Sequence, residues 1–297
     1  MMITTIPFKF NRAGFLRPRR LLSVIAALIS SMVILLAPHA HADDPKIKTP
    51  TEASQLASEV VRNELAAQEQ DKSLWKYREV HQQDGKAELR EIVETRDGEV
   101  HRVLAINGKP LSEKERQNEE RRIQKLLSNP NEFREKQRNL AHDADQERNL
   151  LKMLPQAFLY TSDGIRDGLV KLKFRPNPQF HATSHESEVF HHMEGELWVD
   201  ARSHRLAEID GRLMTEVKFW DGLLGHLDKG GTFCVRQRDV GGGHWEMTDL
   251  DVDMNGKALF FKTIAVHEKQ ADSHFRQLPE HTTLKQAGEL LAINTLN

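Results

Sequence analysis

From Trp75 onward the chain is a succession of short runs in which apolar and polar residues alternate, divided by two-residue reversals. Few architectures accommodate that pattern. Asp84-Gly85, Asp97-Gly98, Asp163-Gly164 and Asn255-Gly256 are pairs that tolerate the positive φ of a tight hairpin turn. Residues 171–174, 197–199 and 213–220 alternate as half-buried strands do. The clearest case sets Leu213, Thr215, Val217 and Phe219 on one side and Met214, Glu216, Lys218 and Trp220 on the other. Segments 86–95, 99–106, 204–210, 232–239, 244–253 and 257–267 read the same way. About ten or eleven strands joined by short reversals predict an antiparallel sheet, because parallel neighbours need long crossovers.

Helices are announced at three places. Thr49-Pro50-Thr51-Glu52 puts a hydroxyl at a cap, proline at the first helical position and glutamate at the third. Leu56, Val60 and Leu65 then form a narrow apolar stripe to about residue 70, so this helix is expected to lie on something else. Residues 112–150 hold nine bases and nine acids. Ser112-Glu113-Lys114-Glu115 is a capping box and Asn129-Pro130-Asn131-Glu132 restarts in the same grammar, which predicts helices over 113–127 and 130–150. Ile123, Leu126 and Leu127, then Phe133 and Leu140, give each a thin apolar seam. This suits a solvated helical insertion, or alternatively an arm that docks a protein partner. From Ala271 the tail is polar, with a short helix around 284–292.

The first 42 residues read as a secretory signal. Arg12, Arg17, Arg19 and Arg20 precede an apolar run over 21–37, and Ala40-His41-Ala42 is a small-x-small exit. The alternative is an uncleaved anchor, since the run is barely long enough to span a bilayer. The leader holds five of the 42 bases and none of the 44 acids, so the remaining 255 residues carry a net charge of −7. That balance argues against nucleic acid as a partner. Without the leader the apolar share falls to roughly a third, which allows one modest core. A lone cysteine, Cys234, excludes an intramolecular disulfide despite an oxidising export route. The expectation is an exported periplasmic protein with no lipid anchor and no transmembrane segment after cleavage. The divisions are a signal over 1–42, a helix over 43–70, a sheet domain over 71–270 and a tail over 271–297.

Catalytic signatures are absent. His181, His185, His191 and His192 cluster with Glu186, Glu188 and Glu194, but the helical His-Glu pair of zinc proteases is missing and Pro176 and Pro178 precede the group. A metal-dependent hydrolase is therefore the weakest of the readings, and exposed loop histidines the stronger one. No nucleophile elbow, phosphate loop or dinucleotide fingerprint occurs. Asp249, Asp251 and Asp253 share a strand face without the glycine turn of a calcium loop, and Cys234 reads as a small packed residue. No catalytic, metal or cofactor residues are assigned.

Binding is the better prospect. Residues 220–231 alternate glycines with leucines between two strands, so Trp220, Leu223, Leu224 and Leu227 read either as a lid over an apolar cavity or as core plugs. Trp198, Phe219, Phe233, Trp245, Phe260 and Phe261 are bulky residues on separate strands. If the sheet curls without closing, they line a cavity for an apolar ligand, and otherwise they fill the interior.

The block Gly195-Glu196-Leu197-Trp198-Val199-Asp200, followed by Arg205-Leu206-Ala207-Glu208-Ile209-Asp210-Gly211, resembles the bacterial outer-membrane lipoprotein-sorting superfamily (LolA/LolB/RseB-like). Residues 225–231 and 256–264 are most similar to its secreted acidobacterial-type members. The resemblance spans most of 50–270 and implies a mainly β fold with α: an unclosed antiparallel β-barrel covered by helices. It further implies a cavity that receives lipid, lipoprotein acyl chains or another apolar ligand. The 112–150 insertion departs from that family's compact carrier. The leading expectation is a non-enzymatic, carrier-like protein. Its rival is an interaction or sensor module, with a filled barrel and a partner held by the charged helices.

Overall fold

The computed structural model describes residues 51–184, 187–219, 225–258 and 262–293, without the side chains of 136–147, 219, 258, 262–264 and 293. The first helix, α1 (Glu52–Gln70), is capped by Thr51, whose hydroxyl accepts from the Ser54 amide at 3.2 Å. The cap therefore lies two residues beyond the Thr49 expected from Pro50. Its buried side is made of Ala53, Ala57, Val60, Val61 and the acidic Glu64, with Leu56 and Leu65 packed at its margins.

Four strands follow, β1 (Leu74–Gln83), β2 (Lys86–Thr95), β3 (Gly98–Ile106) and the short β4 (Lys109–Pro110). Then come α2 (Glu113–Ser128) and α3 (Pro130–Ala157). The remaining strands are β5 (Phe158–Arg166), β6 (Leu169–Pro176), β7 (Met193–Asp200), β8 (Leu206–Leu213), β9 (Val217–Phe219) and β10 (Gly225–Leu227). β11 (Thr232–Asp239), β12 (Trp245–Ala258) and β13 (Lys262–Leu278) complete the sheet, and α4 (Leu284–Ile293) follows. A 3-10 turn, Ser187–His192, leads into β7.

All pairings are antiparallel within one 13-stranded sheet, ordered β4-β3-β2-β1-β13-β12-β11-β8-β7-β6-β5. β10 joins β12 and β9 off this path, and the ends β4 and β5 do not meet, so the sheet is open. The strands beyond the ten or eleven expected are the very short ones, which carry too few residues to show alternation.

Several boundaries move, each for a local reason. Asp163-Gly164 lies inside β5, where the register with β6 shifts between Ser162 and Ile165, so the glycine serves a bulge and the turn falls at Asp167-Gly168. Asn255-Gly256 is paired within β12. A β-carbon on Gly256 would come within 2.1 Å of the His226 carbonyl oxygen, so this glycine admits β10 against β12. The run over 213–220 is broken, because β8 ends at Leu213 and the Met214 amide donates to the His192 carbonyl at 2.8 Å. Residues 271–278 are not tail but the end of β13, paired with β1.

α2 guards one edge of the sheet. The Val103 amide of β3 donates to Glu119 at 2.9 Å, Arg122 donates to the His101 carbonyl, and Arg102 pairs with Glu120 at 2.7 Å. These bonds occupy edge groups that would otherwise template another strand. The predicted capping box at Ser112 and Glu115 is present. Among the described residues no helix is long and apolar enough to cross a membrane.

Two faces result. The inner face of β5 to β13 carries the main apolar cluster, to which α1 contributes Ala57 and Val60, and α3 contributes Leu150 and Leu151. The opposite face of β1 to β3 packs against α4 through Leu74, Val93, Val100, Ala287 and Leu291, with Phe133 of α3. Across β6, β7, β8 and β11 one register row reads Phe174, Gly195, Gly211, Phe233. The two phenyl rings occupy the space the glycines leave, since a β-carbon on Gly211 would sit 2.4 Å from the Phe233 ring.

Candidate functional site

The bulky residues expected to line one cavity are divided between faces. Phe233 is buried in the main cluster, 2% exposed. Trp198 lies on the outer face, with the Lys171 ammonium 4.9 Å from its ring centroid. Trp245 is half-buried beneath the Arg205 guanidinium at 5.8 Å. Leu227 sits in β10 and is buried in the main cluster. The backbone of Phe219 pairs with Gly225. Trp220, Leu223, Leu224, Phe260 and Phe261 lie outside the described residues, as does the side chain of Phe219.

An apolar recess does exist on the inner side, between α1, α3 and the strands. Val60, Val61, Leu151, Phe158, Leu197 and Ile209 are among its walls. It leaves about 30 Å³, room for the centres of about two waters and too little for an acyl chain. One wall is polar. Glu64 is 1% exposed and accepts from Arg205 Nε at 2.6 Å, Arg205 Nη2 at 3.0 Å and the Leu206 amide at 3.1 Å. Gln237 Nε2 donates to the same carboxylate at 3.4 Å.

Further along the inner face, over β1 and β2, the lining includes ion pairs. Glu79 lies opposite Arg90 and pairs with it at 3.0 Å, and Arg90 also holds Glu88 at 2.6 Å. His81 lies 3.6 Å from Glu268. Burial, with Arg122 and Arg90 nearby, pushes the His101 imidazole down to about 4, so it is neutral near pH 7. The same strands also hold a buried cluster of Trp75, Tyr77 and Ile92, so this half of the face mixes ion pairs with aromatic packing.

The outer face offers a larger space. A recess of about 920 Å³ crosses β5 to β13 and is lined by polar side chains in register rows together with Phe174 and Phe233. One row reads Lys173, Glu196, Asp210, Cys234, Asp251, Lys269 across six adjacent strands. Its neighbour reads Glu194, Arg212, Thr232, Asp253, His267. Lys171 engages Glu196 at 2.7 Å, Arg236 engages Glu208 at 2.8 Å and Lys269 engages Asp251 at 2.7 Å. Asp210 stands between these pairs. Burial and the charges of Glu196 and Glu208 raise its pKa.

Cys234 faces this recess, with Sγ 3.7 Å from Glu208 Oε1. Burial first, and neighbouring carboxylates after it, push the thiol up to about 11. The thiolate is the reactive form, so at neutral pH alkylation by iodoacetamide should run about a hundredfold slower than for a free cysteine. Rates equal to those of a model thiol would show that neither burial nor the neighbouring carboxylates act on the sulfur.

Of the clustered histidines, His191 and His192 end the 3-10 turn, and His192 Nδ1 lies 2.6 Å from Thr215 Oγ1. His181 is exposed, and His185 and Glu186 fall outside the described residues. Among the described residues no group of three or more His, Cys, Asp or Glu is arranged to hold a metal. Sequence reasoning missed Glu64, Arg205 and Asp210. Asp210 falls in a segment read as a strand, but only strand order places it beside Cys234. No protein-family model, no curated protein and no solved structure matches this chain, so its site is defined by its own geometry.

Proposed function

We propose that this protein is an exported, non-enzymatic binding module. In this reading α1 and α3 fill the inner side of a half-barrel scaffold, and a polar ligand is taken on the outer face. The observation that carries it is the contrast between the two recesses: about 920 Å³ of charged, open groove outside and about 30 Å³ of apolar space inside. The leader over 1–42 supports export. Glu196 and Asp251 in the groove and Glu208 beside it each have a base, whereas Asp210 feels the carboxylates of Glu196 and Glu208 more strongly than the cations of Lys171 and Arg236, so a cationic group is the complement at that position. A lysine-bearing polypeptide fits that chemistry. α2 is occupied in covering the β3 edge, which favours a structural insertion there.

Titration with fluorescent oligolysine and oligoglutamate peptides tests this. Oligolysine should bind and be released by salt. Asp210→Asn should weaken it roughly threefold to tenfold, for a contact of about 1 kcal/mol. Failure of oligolysine to bind, or equal binding of both peptides, overturns the reading.

A second reading, carriage of an apolar ligand, is favoured by the apolar walls of the inner recess. It requires α1 to move aside, after which burial at about 25 cal/mol per Å² would hold an acyl chain. Mass spectrometry of an organic extract of the purified protein, with an acyl fluorophore titration, decides between the two. Lipid in the extract supports the carrier, and its absence together with no fluorophore binding removes it.

A further inference from the structure

The outer groove neutralises most of its own charge, and the two charges it leaves over are of opposite sign. Lys173 is held by Asp163 at 3.1 Å, and Glu194 accepts from Arg212 Nε at 2.9 Å. Glu196 and Asp251 have their lysines, and Asp253 lies 2.9 Å from His267 Nδ1. Among the described residues that line the groove, Asp210 and Arg175 are the charged side chains without an ion pair or hydrogen bond. We infer that the groove takes a dipolar segment of polypeptide, with a basic group on Asp210 and a carboxylate on Arg175. This rests on the reading of the outer groove as the face that binds a cationic group, and adds to it the anionic end of the ligand.

Strand register fixes how far apart the two charges stand. Arg175 lies on β6, one residue beyond Phe174, which pairs with Gly195 of β7. Asp210 lies on β8, one residue before Gly211, which pairs with the same Gly195. Both alternate with the row of Phe174 and Phe233, which faces inward, so both side chains stand on the outer side. The line between them crosses β7 at Gly195 and spans two strand spacings and two residues, or about 12 Å between α-carbons by ordinary sheet dimensions. Beside that line Glu194 and Glu196 are already paired, which leaves the crossing close to neutral.

An extended polypeptide advances about 3.3–3.6 Å per residue, so roughly three residues cover this distance. A lysine placed two residues before a carboxylate has that spacing. The planar guanidinium of Arg175 is suited to grip a carboxylate through two hydrogen bonds, and Asp210 accepts from the ammonium. A ligand with cations alone satisfies Asp210 and sets like charge against Arg175. One with acids alone brings a further carboxylate to Asp210, which already feels Glu196 and Glu208. Only a ligand with both signs meets neither penalty.

Three tripeptides carrying a neutral fluorophore at the amino end test this: Lys-Ala-Ala with a free carboxylate, the same peptide amidated, and amidated Lys-Ala-Glu. The free carboxylate should bind roughly threefold to fivefold more tightly than its amide, the gain expected from one exposed charge contact. Arg175→Gln should bring those two peptides to equal affinity, and Arg175→Lys should keep most of the difference. Asp210→Asn should weaken both. Tight binding of Lys-Ala-Glu assigns the anion to an acidic side chain and weak binding assigns it to a chain end, both of which agree with the inference. Equal affinity of carboxylate and amide for the unaltered protein overturns it, as does a preference that survives in Arg175→Gln. Either result leaves the cation-binding reading standing. Failure of all three peptides where oligolysine binds also removes the inference alone, and failure of oligolysine as well removes both.

Discussion

Gly195→Ala is expected to destabilise the protein by about 3 kcal/mol, at the upper end of what overpacking costs. Its added methyl would sit 2.0 Å from the Asp210 carbonyl oxygen and 2.8 Å from both Gly211 Cα and the Phe174 ring. Two of those three neighbours are backbone of the adjacent strand, so rotating a side chain does not relieve the clash. Strands β7 and β8 would have to separate, breaking the pairing that runs from Met193–Leu213 to Val199–Leu206. Urea denaturation should show a lower midpoint with an unchanged slope. Gly85→Ala serves as a control, since a methyl there meets nothing within 4 Å and only the positive φ of 76° opposes it. Equal losses in the two variants would show that close strand approach at Gly195 has no special weight.

Glu64→Ala is expected to cost about 3–5 kcal/mol, the usual penalty for removing one partner of a buried ion pair. The side chain of Arg205 is only 12% exposed and would keep its charge with no carboxylate. The Leu206 amide and Gln237 Nε2 would lose their acceptor at the same time. Glu64→Gln should be milder, because an amide oxygen still accepts from one of these donors. Thermal unfolding of the two variants measures the difference. If Glu64→Ala unfolds at the same temperature as the unaltered protein, α1 is held by its apolar contacts alone.

Neighbouring residues made parts of this fold legible. The capping box at Ser112 and the turn at Asp84-Gly85 depend on atoms within a few residues, and both occur where the sequence places them. The same Asx-Gly chemistry was ambiguous elsewhere. It serves a bulge at Asp163-Gly164 and a close strand approach at Asn255-Gly256, because a small residue meets more than one backbone requirement. The aromatic residues show the limit for the site. Alternation puts Trp198 and Leu197 on opposite faces but does not say which face a helix covers, and the covered face is the one with Leu197.

What the sequence determined by itself was short-range: an antiparallel sheet, a capped charged helix with a second restarting after it at a proline, and a first helix that needed a surface to lie on. Those outcomes follow from turn chemistry, period-two alternation and hydrogen-bond caps, all of which act over a few residues. The tertiary structure alone decided that the inner recess is nearly filled, that Asp210 and Cys234 are neighbours, and that Glu64 finds Arg205 141 positions away. Such contacts depend on strand order and on the seating of a helix against a sheet. Both are set by the packing of the whole core, so no local stretch of residues encodes them.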